Sequence, residues 1–254
     1  MDRLALVTEY DGTEFVGFQI QDNGRSVQGV LNEALSKLYK EEIKVTGCSR
    51  TDSGVHAKGH VSSADVPFYI PEERIPLALN AFLPGDLSCR RAIRVKEGFN
   101  ARYDNLGKRY IYRIYSSPVR SPLLSRYSAY TSYRPDIGRM NEAAALFSGE
   151  HDFGSFCAAG SSAKTTVRKL DHVLVRERED IRGLLEIEVV GEAFLYNMVR
   201  IIAGTLLYVG TGKMSCDEVR ISLEEPDRSN AGKTMPPQGL TLEEVFYDWD
   251  KWRI

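Results

Sequence analysis

Apolar positions along the chain switch repeatedly between the two-residue period of a strand and the helical period of 3.6 residues. Leu4 to Glu9 reads as a strand. From Val27 to Tyr39 the apolar residues fall at 27, 30, 31, 34, 35 and 38, which predicts a helix with Ser26 as its N-cap. Ile43 to Cys48 and His60 to Val66 read as strands flanking a polar loop. Pro71 opens a predicted helix to Phe82, with Glu72 and Glu73 in its first turn, and Leu87 to Val95 is a further strand. In the second half, Arg109 to Tyr115 alternates as a strand, and Asp136 caps a helix predicted through Phe147. Val167 to Arg178 and Leu184 to Val190 read as a hairpin across the turn-rich stretch Glu179 to Gly183. Phe194 to Val209 is a long apolar helix stopping at Gly210, Cys216 to Leu223 a short amphipathic one, and Leu240 to Tyr247 a returning strand. Mixed runs of strands and helices in two comparable halves predict an α+β chain with an antiparallel or mixed sheet. The expected halves are residues 1–98 and 99–254, packed closely around a cleft.

The 254 residues, 43% of them apolar and 27% charged, are ordinary for a globular protein and exclude wholesale disorder or a fibrous class. The longest apolar stretch, Met198 to Val209, is broken by Arg200 and shorter than the ~20 residues a membrane span needs. The opening residues lack the apolar run of a secretory signal, so the expected compartment is the cytoplasm, with no membrane partner. Cys48, Cys89, Cys157 and Cys216 are widely spaced, which favours free thiols over a zinc site or disulfide framework.

Net charge is −2, but its distribution is uneven. Between Arg90 and Arg134 there are eleven Lys or Arg against Glu97 and Asp104, a local charge of +9, interleaved with Phe99 and seven tyrosines. Cations alternating with aromatic rings suit a surface that tracks phosphates and stacks bases. Amphipathic strands with Tyr inside and Arg outside would have the same composition.

The densest chemistry lies in Ser49-Arg50-Thr51-Asp52-Ser53-Gly54-Val55-His56-Ala57, a polar loop between two predicted strands. A loop on a rigid scaffold is where function concentrates. The plain alternative is an Asx turn, with the Asp52 side chain accepting from the Gly54 backbone. Two weaker patterns are set aside. His56 and His60 are four apart but span a loop and a strand, so they make a poor metal pair. Gly210-Thr211-Gly212-Lys213 fails the phosphate-loop pattern at Leu207 and Met214 and reads as a helix stop.

The stretch GCSRTDSGVHA resembles the GRTDAGVHA motif of the tRNA pseudouridine synthase A family. The similarity continues in that family's order through EYDGTEFVGFQ, SVQGVLNEAL, FNARYDNLGKRYIYRIY, GEHDFGSF, FLYNMVRIIAGTLLYVGTGK and DRSNAGKTMPPQGLTLEEVFY. Ser49 and Ser53 depart from the family's usual Gly and Ala; both are small and leave Arg-Thr-Asp intact.

The resemblance implies a pseudouridine synthase-like fold: two α/β halves around an extended, mostly antiparallel sheet with a central cleft. It implies an isomerase acting on uridines of the tRNA anticodon stem-loop, at nucleotides 38 to 40, and a homodimer. Residue by residue, Asp52 matches the nucleophile and Arg50 the arginine that helps hold the flipped nucleotide. Tyr110 matches the ring that lies against the uracil, and Arg200 the basic partner of the aspartate. Lys108, Arg109 and Arg102, in the same block as Tyr110, are expected to bind substrate with it. The isomerisation requires no redox change and no net hydrolysis, so no cofactor and no metal are expected. The same chemistry on another RNA and a non-catalytic RNA-binding protein are the alternatives. Asp52 separates them, because a pure binder gains nothing from a carboxylate among phosphates. A hydrolase finds no nucleophile-elbow motif here.

Overall fold

A computed structural model describes residues 2–254. In chain order the elements are β1 (Asp2–Tyr10), α1 (Val27–Tyr39), β2 (Thr46–Gly47), β3 (His56–Val66), α2 (Ile75–Asn80), β4 (Leu87–Val95), β5 (Asn105–Ser116), β6 (Ala129–Thr131), α3 (Ile137–Ala145), β7 (Gly149–Asp152), β8 (Val167–Glu177), β9 (Leu184–Gly191), α4 (Met198–Gly210), α5 (Cys216–Glu224), β10 (Leu240–Tyr247) and α6 (Trp249–Trp252). The fold is mixed α+β, and its strands are mostly antiparallel, as the periodicities predict. The chain forms two compact units, one of residues up to 106 together with 242–254, the other of residues 107–241. The sequence led to an expected break at 98/99, with the C-terminal residues in the second half; residues 242–254 instead belong to the first unit.

In the first unit the strand order is β4-β1-β3-β10, with β2 on β3. β1 pairs antiparallel with both β3 and β4 and buries Leu4, Ala5 and Leu6 completely. The α1 residues Val27, Leu31, Ala34, Leu35 and Tyr39 are buried at the predicted spacing, and Ser26 caps the helix by accepting from the Gly29 N–H. The predicted strand Ile43 to Cys48 contracts to Thr46–Gly47. Side chains on one stripe of α1 take its backbone groups instead. Ser36 Oγ accepts from the Ile43 N–H, Asn32 Oδ1 accepts from the Val45 N–H, and Gln28 Nε2 donates to the Val45 carbonyl. A backbone satisfied by a helix surface has no need of a strand partner. The predicted helix 71–82 is also shorter: a 3-10 turn over Glu72–Arg74 leads into α2, with Pro76 in its first turn. It stops at Asn80, whose side chain pairs with both backbone groups of Cys89, and Pro84 follows. Phe99 is fully buried against Tyr247, Trp249 and Trp252, at centroid distances of 5.4, 6.0 and 5.5 Å, which ties residues 242–254 into this unit.

In the second unit the order is β5-β9-β8-β7, with β6 parallel to β5. The predicted hairpin is β8–β9, with Val173 opposite Val189 and Val175 opposite Ile187. α4 is buried almost all round, as its uniform hydrophobicity requires, and only Arg200 and Tyr208 keep partial exposure. It begins at Met198 rather than Phe194 because Asn197 takes a left-handed conformation (φ 61°) that ends the preceding turn. Asp136 caps α3 as predicted, accepting from the Arg139 N–H, and Phe147 lies in a tightened turn just past the helix. Short β6, β7 and α6 carried no periodic signal. No helix among the described residues is long and apolar enough to cross a membrane. The four cysteines are free, and burial pushes the Cys89 thiol up to about 12.

Candidate active site

The Arg-Thr-Asp loop is built by the chain's opening segment. After β1, residues 11–18 fold back over the loop, and each hold is specific. The Tyr10 hydroxyl lies 2.8 Å from Thr51 Oγ1, and the Phe18 N–H donates to the Thr51 carbonyl at 3.1 Å. The Phe15 carbonyl accepts from the Gly54 N–H and from Ser53 Oγ, at 3.4 and 3.3 Å. The Gly12 N–H donates to His56 Nδ1 at 3.0 Å. Behind the loop, His60 is fully buried, stacked on Phe18 at 4.1 Å, with Nε2 3.0 Å from the Ser49 carbonyl. Two glycines allow this approach. A Cβ on Gly12 would lie 2.0 Å from the Val55 carbonyl oxygen, and one on Gly17, where φ is +116°, would lie 2.6 Å from the Thr51 oxygen.

Within the loop, the Val55 N–H donates to the Asp52 main-chain carbonyl at 3.1 Å, and Gly54 takes φ +77°, as the third position of a type II turn demands. The Asx turn is therefore not formed: the Gly54 N–H goes to Phe15, not to the Asp52 carboxylate. Asp52 is half-buried and Arg50 exposed. The Arg50 guanidinium makes no hydrogen bond or ion pair among the described residues. His56 and His60 are consumed in holding the loop, and no cluster of metal-ligating side chains is found among the described residues.

Arg102 also lies in the first unit, exposed, with its guanidinium 5.7 Å from the Tyr103 ring centroid. The other candidates belong to the second. Lys108, Arg109 and Tyr110 are consecutive on β5, so Lys108 and Tyr110 share one face and Arg109 takes the other. Lys108 is buried. Tyr110 is buried too, edge-on to Phe194 at 5.0 Å. Arg109 lies on a charged face, 3.7 Å from Glu188, which His172 also approaches at 3.0 Å. One strand-pair along, the nearly buried Glu186 carboxylate accepts from Arg113 at 3.0 Å and Arg176 at 3.1 Å. Arg200, in the first turn of α4, donates from Nε to the Met235 carbonyl at 2.7 Å and from Nη1 to Asn197 Oδ1. The left-handed Asn197 that starts the helix thus also orients the arginine. The same 235–239 stretch is held by Tyr112, fully buried, whose hydroxyl donates to the Pro236 carbonyl at 2.7 Å. Burial is the main cause that raises the Tyr112 phenol well above its ordinary range.

Sequence reading selected the reactive loop but missed its supports: Tyr10, Gly12, Phe15, Gly17 and Phe18. The available signal was two glycines five apart among aromatics, directly after a strand.

A family profile described as tRNA pseudouridine synthase matches residues 6–104 and 143–248. The chain is 45% identical over 247 residues to a tRNA pseudouridine synthase A of Ruminiclostridium cellulolyticum, covering 97% of this chain and 100% of that one. It is 45% identical over 248 residues to the tRNA pseudouridine synthase A of Bacillus subtilis, covering 97% and 99%. Among solved structures, a chain of an archaeal box H/ACA sRNP Nop10-Cbf5 complex aligns at 12% identity with a TM-score of 0.34. That alignment covers 92% of this chain and 58% of the other.

Proposed function

The chain belongs to the tRNA pseudouridine synthase family, and from that premise we propose that it isomerises uridine to pseudouridine in the anticodon arm of tRNA, at nucleotides 38 to 40, with Asp52 as the nucleophile. The observation that carries the assignment is the construction of the loop. Phe15, Phe18 and Tyr10 hold the loop's backbone and the Thr51 and Ser53 hydroxyls, which fixes the turn that presents Asp52. Preorganisation of this kind is what a nucleophile needs to meet a reacting atom in one geometry.

In the reaction, the Asp52 carboxylate forms a transient covalent bond to the nucleoside and the bond from C1′ to N1 breaks. The detached uracil turns, C5 bonds to C1′, the C5 proton departs, N1 gains one, and the carboxylate is released. Atoms and electrons balance without a cofactor. Arg50, exposed and with no side-chain partner among the described residues, is assigned to a phosphate of the flipped nucleotide. Tyr110 supplies a ring for the uracil, backed by Phe194. Arg200 supplies a permanent positive charge to the reaction, oriented by Asn197 and the Met235 carbonyl. Lys108, Arg109 and Arg102 are assigned to substrate binding. Extracting the target base from its stem costs a few kcal/mol, which a stacking surface offsets. The enzyme is assigned to the cytoplasm and to a homodimer, on family grounds.

The test is pseudouridine mapping on unmodified tRNA transcripts with wild type and Asp52→Asn. Wild type is expected to convert nucleotides 38 to 40. Asp52→Asn is expected to bind the same transcripts at least as tightly and convert none. Conversion by Asp52→Asn within tenfold of wild type refutes the nucleophile, and conversion at other positions refutes the target.

A further inference from the structure

The second unit contains a cup of about 240 Å³ lined by Tyr115, Arg120, Ser121, Tyr130, Pro236 and Gln238, among others. None of the residues assigned above to chemistry lines it. Its polar inventory is unusual. The Arg120 guanidinium, the Ser121 hydroxyl, the Gln238 amide and the Tyr115 hydroxyl make no hydrogen bond or ion pair among the described residues. The neighbouring hydroxyls are satisfied: Ser125 donates to Pro122, Ser128 to Leu124 and Tyr130 to Pro118. No carboxylate lines the cup. Arg120 is exposed and Tyr115, Ser121 and Gln238 are half-buried, so their polar groups are open to a ligand. One cation, three hydrogen-bonding groups and no acid around one concavity suit an anion that also bears hydroxyls.

The cup is also rigid. Arg120 rests over the Tyr130 ring, its guanidinium carbon 5.2 Å from the centroid. Tyr115 and Tyr130 are register partners on β5 and β6. Pro236 is held by Tyr112, and its neighbour Met235 by Arg200. The volume is below the ~300–1,000 Å³ usual for small-molecule sites, which suits a phosphate with its ribose better than a free nucleotide.

We propose that this cup binds a backbone phosphodiester of the tRNA outside the target nucleotide, with Arg120 on the phosphate and Ser121, Gln238 and Tyr115 on phosphate and ribose oxygens. The proposal rests on the tRNA reading for its ligand, and on the cup for its place. An arginine gives a phosphate parallel donors, and a ribose 2′-hydroxyl both donates and accepts, matching an amide.

The experiment compares wild type, Arg120→Gln and Gln238→Ala on full-length tRNA transcript. It reads Kd across a salt series, KM against kcat, thermal midpoint and sedimentation. Arg120→Gln is expected to raise Kd about five- to tenfold and to lower the log–log salt slope by about one, with the loss falling on KM rather than kcat. Gln238→Ala is expected to raise Kd about threefold at unchanged slope, since it removes hydrogen bonds and no charge. Arg120 is exposed, so the variant is expected to keep the wild-type midpoint. An unchanged Kd and slope in Arg120→Gln overturns the proposal. A sedimentation coefficient altered by Arg120→Gln also overturns it, by making the cup a contact between copies of the chain. Failure of wild type to form pseudouridine would refute the functional reading instead, leaving the binding comparison to be judged by itself.

Discussion

Gly12→Ala is the sharpest probe of how the active loop is positioned. A methyl group at residue 12 would sit 2.0 Å from the Val55 carbonyl oxygen and 2.5 Å from its carbon. An ordinary carbon–oxygen approach is roughly 3.3 Å, so one backbone must retreat by about 1 Å or more. Neither neighbour is the end of a flexible side chain, and the backbone conformation at Gly12 is one an alanine adopts, so the effect is steric. The retreat moves the turn Asp52–Val55, and with it the carboxylate. A misplacement of about 1 Å at a reacting group lowers rates on the order of 100-fold. Overpacking adds about 1–3 kcal/mol of destabilisation, or ~2–12 °C in thermal midpoint. Gly85→Ala is the matched control, because a Cβ there meets nothing within 4 Å. Single-turnover pseudouridine formation at saturating enzyme, measured beside thermal melts, separates the two effects. The expected result is a folded variant about 100-fold slower, with the control at wild-type rate. A Gly12→Ala rate within threefold of wild type would mean the loop's position does not depend on this approach, and the positional argument would fail.

Tyr110→Phe keeps the edge contact with Phe194 and is expected to bind tRNA nearly normally but turn over slowly, whereas Tyr110→Leu loses the ring face and weakens both. Wild-type rates in both variants would return Tyr110 to simple core packing. Chelator treatment of the enzyme, assayed on prefolded tRNA, is expected to leave the rate unchanged; a loss restored by one added metal would refute the metal-free chemistry. Arg25 donates twice to Asp86 at 2.7 Å, and this bond chiefly holds the Asp86 carboxyl below the ordinary carboxylate range. That contribution is complete above the unfolded value near ~4 and disappears as pH falls through the folded one. Thermal midpoints from pH 5 to pH 2 are therefore expected to fall less steeply in Asp86→Asn than in wild type, and parallel curves would refute the linkage.

The sequence was most legible where one physical cause dominated. The helix Val27–Tyr39, with its Ser26 cap, and the strand Leu240–Tyr247 were readable to the residue, because periodicity and capping acted alone there. Ile43 to Cys48 misled because its β-branched residues promise a strand, while Gln28, Asn32 and Ser36, 7 to 17 positions before the groups they bond, take its backbone groups. Such a bargain is invisible until the two segments are side by side. Phe194 looked helical because Asn197 reverses the backbone without interrupting the apolar run. At the candidate site the reactive types were evident from the loop itself. Its supports were not, because a glycine that admits a distant carbonyl looks like any turn glycine. Nor did composition reveal that Lys108 is buried and Arg109 faces Glu188.

The return of residues 242–254 to the first unit sets an order for folding during synthesis. The unit that carries Asp52 is interrupted in sequence by residues 107–241 and cannot be completed until β10 has been made. Joining its two parts across an unstructured connection of that length would cost about 4 kcal/mol in chain entropy. A folded second unit removes most of that cost. Arg113 near its beginning donates to Thr241 at its end, 3.1 Å away, so its termini are already drawn together. The intervening unit thus acts as a clasp for the chain around it. A nascent chain released before β10 would carry an intact Arg-Thr-Asp sequence on a sheet whose β3 still lacks its β10 neighbour, with Phe99 uncovered by Tyr247 and the two tryptophans.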